Sequence, residues 1–374
     1  MRGATGVTVD RRGTWRRWAV VVLVMALIGA ACSSSGDDDG DGDQASAASG
    51  EPSGTLRVFA FEDSLIPEVL EPFEAEYPDV DVQTAAFGSG DEALTKLEAG
   101  FQTDVVEVCI REVPRYTASG VLMPLDTAEL TDWDSVYPAF KTGGEADGQT
   151  WVAVAQGGPA GVVWNPELFP AGVTSYRQLF EDPALQGQVA MDGTPYYAIA
   201  IGALAMGFED PYNLTDEQVQ EVADYFIAHK DQFRAFFEGD ADLLSLYRNE
   251  EIKAAAAFPG YEATLAKEGM DIGFNFAEEG TLTWMCGMGI SANAENVPAA
   301  YAWLNHFLST DIQKYFAEKW NYLASNEKTL ATLNQKTIDA LQMEDPTWLS
   351  EAIPTQIAGN YDVWLDAMRQ IKSA

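Results

Sequence analysis

Positive charge and histidine are scarce in this sequence, and those two shortages exclude more than any motif does. Its 374 residues hold 22 Lys and Arg against 58 Asp and Glu, a net charge of −36. Without the first 31 residues, which carry five Arg and one Asp, 17 basic residues face 57 acidic ones. So acidic a surface repels phosphate backbones, which excludes nucleic acid as a partner, and it repels anionic lipid headgroups too. The two histidines, His229 and His306, have no histidine four residues away, so no H-E-x-x-H zinc site exists. A G-x-S-x-G nucleophile elbow is missing as well. Ser325–Lys328 reads S-x-x-K and Lys141–Gly143 reads K-T-G, but in the reverse of the serine β-lactamase order and without S-D-N. Carboxylates are so many that no glycosidase-like pair stands out. No enzyme, cofactor or metal site is expected, and a secreted hydrolase is kept only as the last alternative.

Cysteine and long apolar runs are also few. One apolar run, Ala19–Ala31, follows Arg11, Arg12, Arg16 and Arg17 and has the length of a signal-peptide h-region. It is too short for a comfortable membrane span. Gly29, Ala30 and Ala31 lead into Cys32, a pattern that resembles a bacterial lipobox, although Gly29 stands where a leucine is usual. The resemblance implies a signal peptide over 1–31 and Cys32 as the lipidated first residue of the mature chain. An ordinary secretory signal with an incidental cysteine is the other reading, and both imply export. Residues 32–54, mostly Ser, Gly, Ala and Asp, bury nothing and read as a flexible acidic tether. Asp37–Asp43 has the D-x-D-G spacing of calcium loops but lacks the closing glutamate and flanking helices, so a self-repelling spacer is expected.

The remainder is rich in aromatics and longer than one typical domain, so two lobes are expected. From Thr55 the pattern alternates: TLRVFAF, DVDVQTAAF and TDVVEVCI as strands, SLIPEVLEPFEAEY, GDEALTKLEAG and VPRYTASG as helices. That succession predicts an α/β fold with a doubly wound parallel sheet. Two further strands, QTWVAVA and AGVVWN, flank Gly157-Gly158-Pro159, where a crossover between lobes is expected. A second α/β unit follows, with a capping-box start at Thr215 and Gln218 and a helix opening at Pro298. The chain then returns near Cys286. The expected division is 55–157 plus 286–326 for the first lobe, and 158–285 plus 327–374 for the second.

LRVFAFEDSLIPEVLEPFEAEYPDVDVQ resembles the opening of the spermidine/putrescine-binding proteins of ABC importers, and TWMCGMGISANAENVPAAYAWLNHFLSTDIQKYFAE resembles their return segment. GVLMPLD and WNYLASN match between and after them, so the similarity runs from about Thr55 to Lys372. The resemblance implies a type II periplasmic-binding-protein-like fold with a ligand cleft between two lobes. It implies delivery of a small amine to ABC permease subunits by a monomer whose only membrane contact is its lipid anchor. The family's binding positions fall on Phe61, Glu62 and Asp63, on aromatic walls at Phe61, Phe258 and Trp284, on a cleft tyrosine at Tyr322, and on an acid at Asp192. Carboxylates and aromatic faces are what a desolvated ammonium needs. Core packing is the alternative role for each aromatic.

Two departures alter the expected ligand. The family's aspartate after the Trp-Met pair is Cys286 here, and a tyrosine of the third-strand loop is Arg111. Losing a carboxylate and gaining a guanidinium, which is shaped for bidentate carboxylate recognition, favours a zwitterionic, amino-acid-type amine over a polyamine. Pairing of Arg111 with Glu112 or Glu107 at the surface is the competing expectation. Because the family places the third-strand loop and the return segment beside the cleft on one lobe, a Cys109–Cys286 disulfide is implied, with two separate buried thiols as the alternative. Ferric iron is the in-class alternative ligand, through Tyr196-Tyr197, though VFAFEDS lacks the histidine that iron-binding relatives use.

Overall fold

The computed structural model describes residues 50–374. The expected signal segment, Cys32 and nearly all of the tether lie outside the described residues. Strand β1 (Gly54–Ala60) buries Leu56 and Val58 by simple alternation, and helix α1 (Pro67–Glu76) starts on a proline, where a missing N–H costs nothing. Strand β2 (Val80–Ala86) leads to α2 (Gly90–Glu98), whose first turn is capped by Ser89 Oγ accepting from Glu92 N at 3.2 Å. Strand β3 (Val105–Cys109) is buried along its whole length. β1 lies between β2 and β3 and is parallel to both.

The Gly157-Gly158-Pro159 cluster does not interrupt the chain as expected. It lies inside one 13-residue strand, β4 (Val152–Trp164). The glycines mark a close approach, not a turn: a Cβ on Gly158 would stand 2.6 Å from Trp284 Nε1, and one on Gly157 2.6 Å from the Trp284 carbonyl. Beyond it come β5 (Val189–Asp192), α3 (Pro195–Met206) and α4 (Asp216–Ala228). The Thr215–Gln218 capping box closes in both directions, at 2.8 and 3.3 Å. Strand β6 (Phe233–Phe237), which the sequence pattern does not reveal, is followed by β7 (Ala254–Ala257) and the return strand β8 (Leu282–Ser291). The main sheet runs β2-β1-β3-β8-β4-β7-β5-β6. β8 is antiparallel to both β3 and β4, while β7, β5 and β6 are mutually parallel.

β4 and β8 pass from one core to the other. Val152–Ala155 and Met285, Met288 and Ile290 belong to a first core with Phe59, Val106 and Trp303. Ala160, Val162 and Leu282 belong to a second, with Val189, Phe226 and Trp364. A third core covers the opposite face of the second half-sheet, where Val163, Ala190, Ala255 and Ala257 alternate with the residues of the second. Helices α5 (Val297–Leu308) and α6 (Thr310–Trp320) pack on the first core. The segment expected wholly in the second lobe is divided. Leu341, Met343 and Leu349 join the first core, while α7 (Tyr361–Ser373) places Trp364, Ala367, Met368 and Ile371 in the second at helical spacing.

Candidate functional site

All six parallel-paired strands end at one place. The residues just past β2, β1, β3, β7, β5 and β6 turn into a cleft of about 580 Å³, the position where open α/β sheets bind ligands. Of the nine ligand-binding residues expected from sequence, Phe61, Asp63, Arg111, Asp192, Phe258, Trp284, Cys286 and Tyr322 line this cleft. Glu62 does not; it is exposed at the start of the one-turn helix that carries Asp63.

One part of the cleft is acidic and aromatic. Asp63 Oδ2 accepts from the Tyr322 hydroxyl at 3.1 Å. Tyr322 meets the Trp284 indole edge to face, with centroids 4.8 Å apart, and Trp284 itself lies over Gly158. Phe61 packs against Phe87 at 4.5 Å. Sequence reasoning named Glu107 on β3 only as a possible surface partner of Arg111, and missed its place in this region. Glu107 lines the cleft with 1% of its surface exposed. Its Oε2 accepts from Phe61 N at 3.1 Å and its Oε1 from Gln156 Nε2 at 3.0 Å. Burial, then the charge of Asp63, pushes its carboxyl up to about 8, against the hydrogen bonds that favour ionisation. The signal was a single acid inside the otherwise apolar VVEVCI.

Cys109 and Cys286 are joined by a disulfide across directly opposed positions of β3 and β8, with Cα atoms 3.9 Å apart. Both line the cleft. The bridge lies between Glu107 and Arg111 along the chain, and the two residues feel different charges. Burial disfavours the Arg111 charge, but Glu112 and the hydroxyls of Tyr196, Tyr197 and Tyr212 outweigh it and raise its pKa. Arg111 pairs with Glu112 through Nε at 2.9 Å, with 12% and 8% of their side-chain surfaces exposed. The expected ion pair therefore forms with Glu112, though in the cleft wall and not at the surface. The guanidinium also stacks on Tyr196, 4.8 Å from the ring centre.

The opposite wall comes from the second half of the sheet. Asp192 ends β5 and accepts from Thr194 N at 2.8 Å and Thr194 Oγ1 at 2.6 Å, while burial raises its pKa. Tyr196 and Tyr197 open α3, and Tyr197 packs on Phe258 at 5.3 Å. Burial holds both phenols above their ordinary pKa, so they are neutral at physiological pH.

A cleft between two α/β halves, entered at strand ends and lined by aromatics and charge, defines a type II periplasmic binding protein. The chain belongs to the family described as bacterial extracellular solute-binding protein, whose model matches residues 68–344. It is 23% identical over 316 residues to the spermidine/putrescine-binding periplasmic protein of Escherichia coli (strain K12), covering 82% of this chain and 89% of that one. Among solved structures it resembles the spermidine/putrescine ABC transporter substrate-binding protein PotD of Streptococcus pneumoniae, with a TM-score of 0.75 and 17% identity over 86% of this chain and 99% of that one. It also resembles the binding protein MotA of A. tumefaciens B6 in complex with glucopine, with a TM-score of 0.67 and 16% identity over 85% of this chain and 99% of that one. At such identities the structural likeness carries the fold. The family is one of solute-binding proteins, not enzymes.

Proposed function

We propose that this protein is a lipid-anchored extracytoplasmic receptor that delivers a zwitterionic, amino-acid-type amine to an ABC permease. The observation that carries the ligand class is the presence of two unlike charges in one cleft, the Asp63–Glu107 carboxyl pair and the Arg111 guanidinium. An ammonium would sit against the acids between Phe61, Trp284 and Tyr322, and a carboxylate against Arg111. A polyamine is the second reading, supported by the named relatives and by four carboxyl groups in the cleft, Asp63, Glu107, Asp192 and Glu238, the last of them paired with Lys372. Its second ammonium would have to pass the Arg111 cation, a like charge in a poorly hydrated wall. Ferric iron ranks below both, because ionising Tyr196 and Tyr197 as ligands opposes their burial. The lipid anchor rests on the Cys32 motif, and the permease on the relatives.

Calorimetric titration with an ω-amino acid such as γ-aminobutyrate and with spermidine tests the ligand class. Removing Arg111 alone would strand Glu112 in the wall, so the pair is replaced together as Arg111→Met with Glu112→Gln. Wild type should bind the ω-amino acid more tightly, and the double variant should lose on the order of 2–5 kcal/mol for it while keeping its melting temperature within a few degrees. Tighter spermidine binding that the double variant leaves unchanged would return the ligand to the polyamines.

A further inference from the structure

Glu107 has an unusual combination of features. It is fully buried and lines the cleft, and it makes no ion pair with any described Lys, Arg or His. A carboxylate in that position needs a cation, and otherwise holds a proton. Its surroundings accept either state. Gln156 Nε2 donates to Oε1, while Gln156 Oε1 is buried with no partner. A flip of that amide would present Oε1 to a protonated Glu107, so Gln156 can serve the acid as well as the carboxylate. Ser64, wholly buried and without full hydrogen-bond geometry to any partner, also lies close enough to favour the charged form.

The titratable groups facing Glu107 are few. From the turn after β1 comes Asp63, which accepts from Tyr322. β8 presents Met288 directly opposite and the bonded Cys286, and β4 presents Gln156. Further along β3 lie Cys109, also bonded, and then the Arg111–Glu112 pair. Neither histidine lines the cleft.

We propose that Glu107 receives the ammonium of the ligand and releases its proton to solvent as it does so, making binding proton-linked. This rests on the amine reading above and names the residue that carries it. The exchange is balanced: a protonated carboxyl and an ammonium become a carboxylate–ammonium pair, and one proton passes to the buffer. The Glu107–Asp63 pair shares that proton in the empty cleft, so the pair loses one in total.

The test is calorimetry of the wild-type mature protein with γ-aminobutyrate and with spermidine at about pH 6.5, in two buffers of different ionisation enthalpy. Binding should release about one proton per ligand, and affinity should rise about tenfold per pH unit from roughly pH 6 to 7.5 before levelling above about 8. Glu107→Gln, which keeps the shape but cannot ionise, should abolish the release and flatten the profile. Asp192 is also held above its ordinary value by burial, and a release that survives Glu107→Gln would assign the proton there and overturn the proposal. Binding with no proton release in wild type overturns it alone and leaves the amine reading standing. Failure of both probes to bind at any pH overturns the two together.

Discussion

At the scale of single residues, Glu107 makes stability depend on pH in the opposite sense to most carboxylates. Its folded value is pushed up to about 8 from an ordinary 4.5, so the empty folded protein binds a proton that the unfolded chain has lost. That contribution is complete below about pH 4.5 and disappears as pH rises through about 8. Compared with Glu107→Gln, the ligand-free wild type should lose stability between about pH 5 and 8, on the order of a few kcal/mol. Thermal melts of both proteins across that range check it; parallel curves would mean that Glu107 is ionised in the empty cleft. Arg111 is a different case. Its charge is secured by Glu112 and by the ring of Tyr196, so it stays a cation across the same range.

At the scale of elements, the site is held by the β3–β8 ladder and its disulfide. The bridge joins residues 177 apart, and closing so long a loop is worth about 5 kcal/mol in the chain-entropy model. Replacing both cysteines by serine should therefore lower the denaturation midpoint substantially. It should also weaken ligand binding, since Arg111 follows Cys109 by two residues and Trp284 precedes Cys286 by two. Urea melts and titrations of the double variant measure both; an unchanged midpoint would show that the ladder alone sets the register. Much of this level was legible in sequence. Periodicity marked β1, β3 and the capped helix α4, and the family resemblance placed Asp63, Arg111 and Trp284 where they line one cleft. β4 was misread because glycine beside proline usually signals a turn. Here the glycines make room for the backbone and indole of Trp284, a tertiary reason that no local pattern carries. The place of Glu107 in the cleft was missed for a related reason: a lone acid in an apolar strand has no periodicity of its own, and only the sheet shows that it faces the cleft.

At the scale of the whole molecule, a strongly acidic solute-binding protein places Glu107, Arg111 and Asp192 in the cleft where two halves of one sheet meet. No helix among the described residues is long and apolar enough to cross a membrane, so membrane attachment in this account depends on Cys32. The strands that end at the cleft come from both cores, so a ligand that touches Asp63 and Arg111 on one side and Asp192 and Phe258 on the other would draw the halves together. The most direct test is native mass spectrometry of the protein extracted from the membranes of its own host. The expected result is a chain beginning at an acylated Cys32 that retains one small molecule carrying both an amine and a carboxylate. A chain that retains a polyamine or a metal ion in its cleft would contradict it.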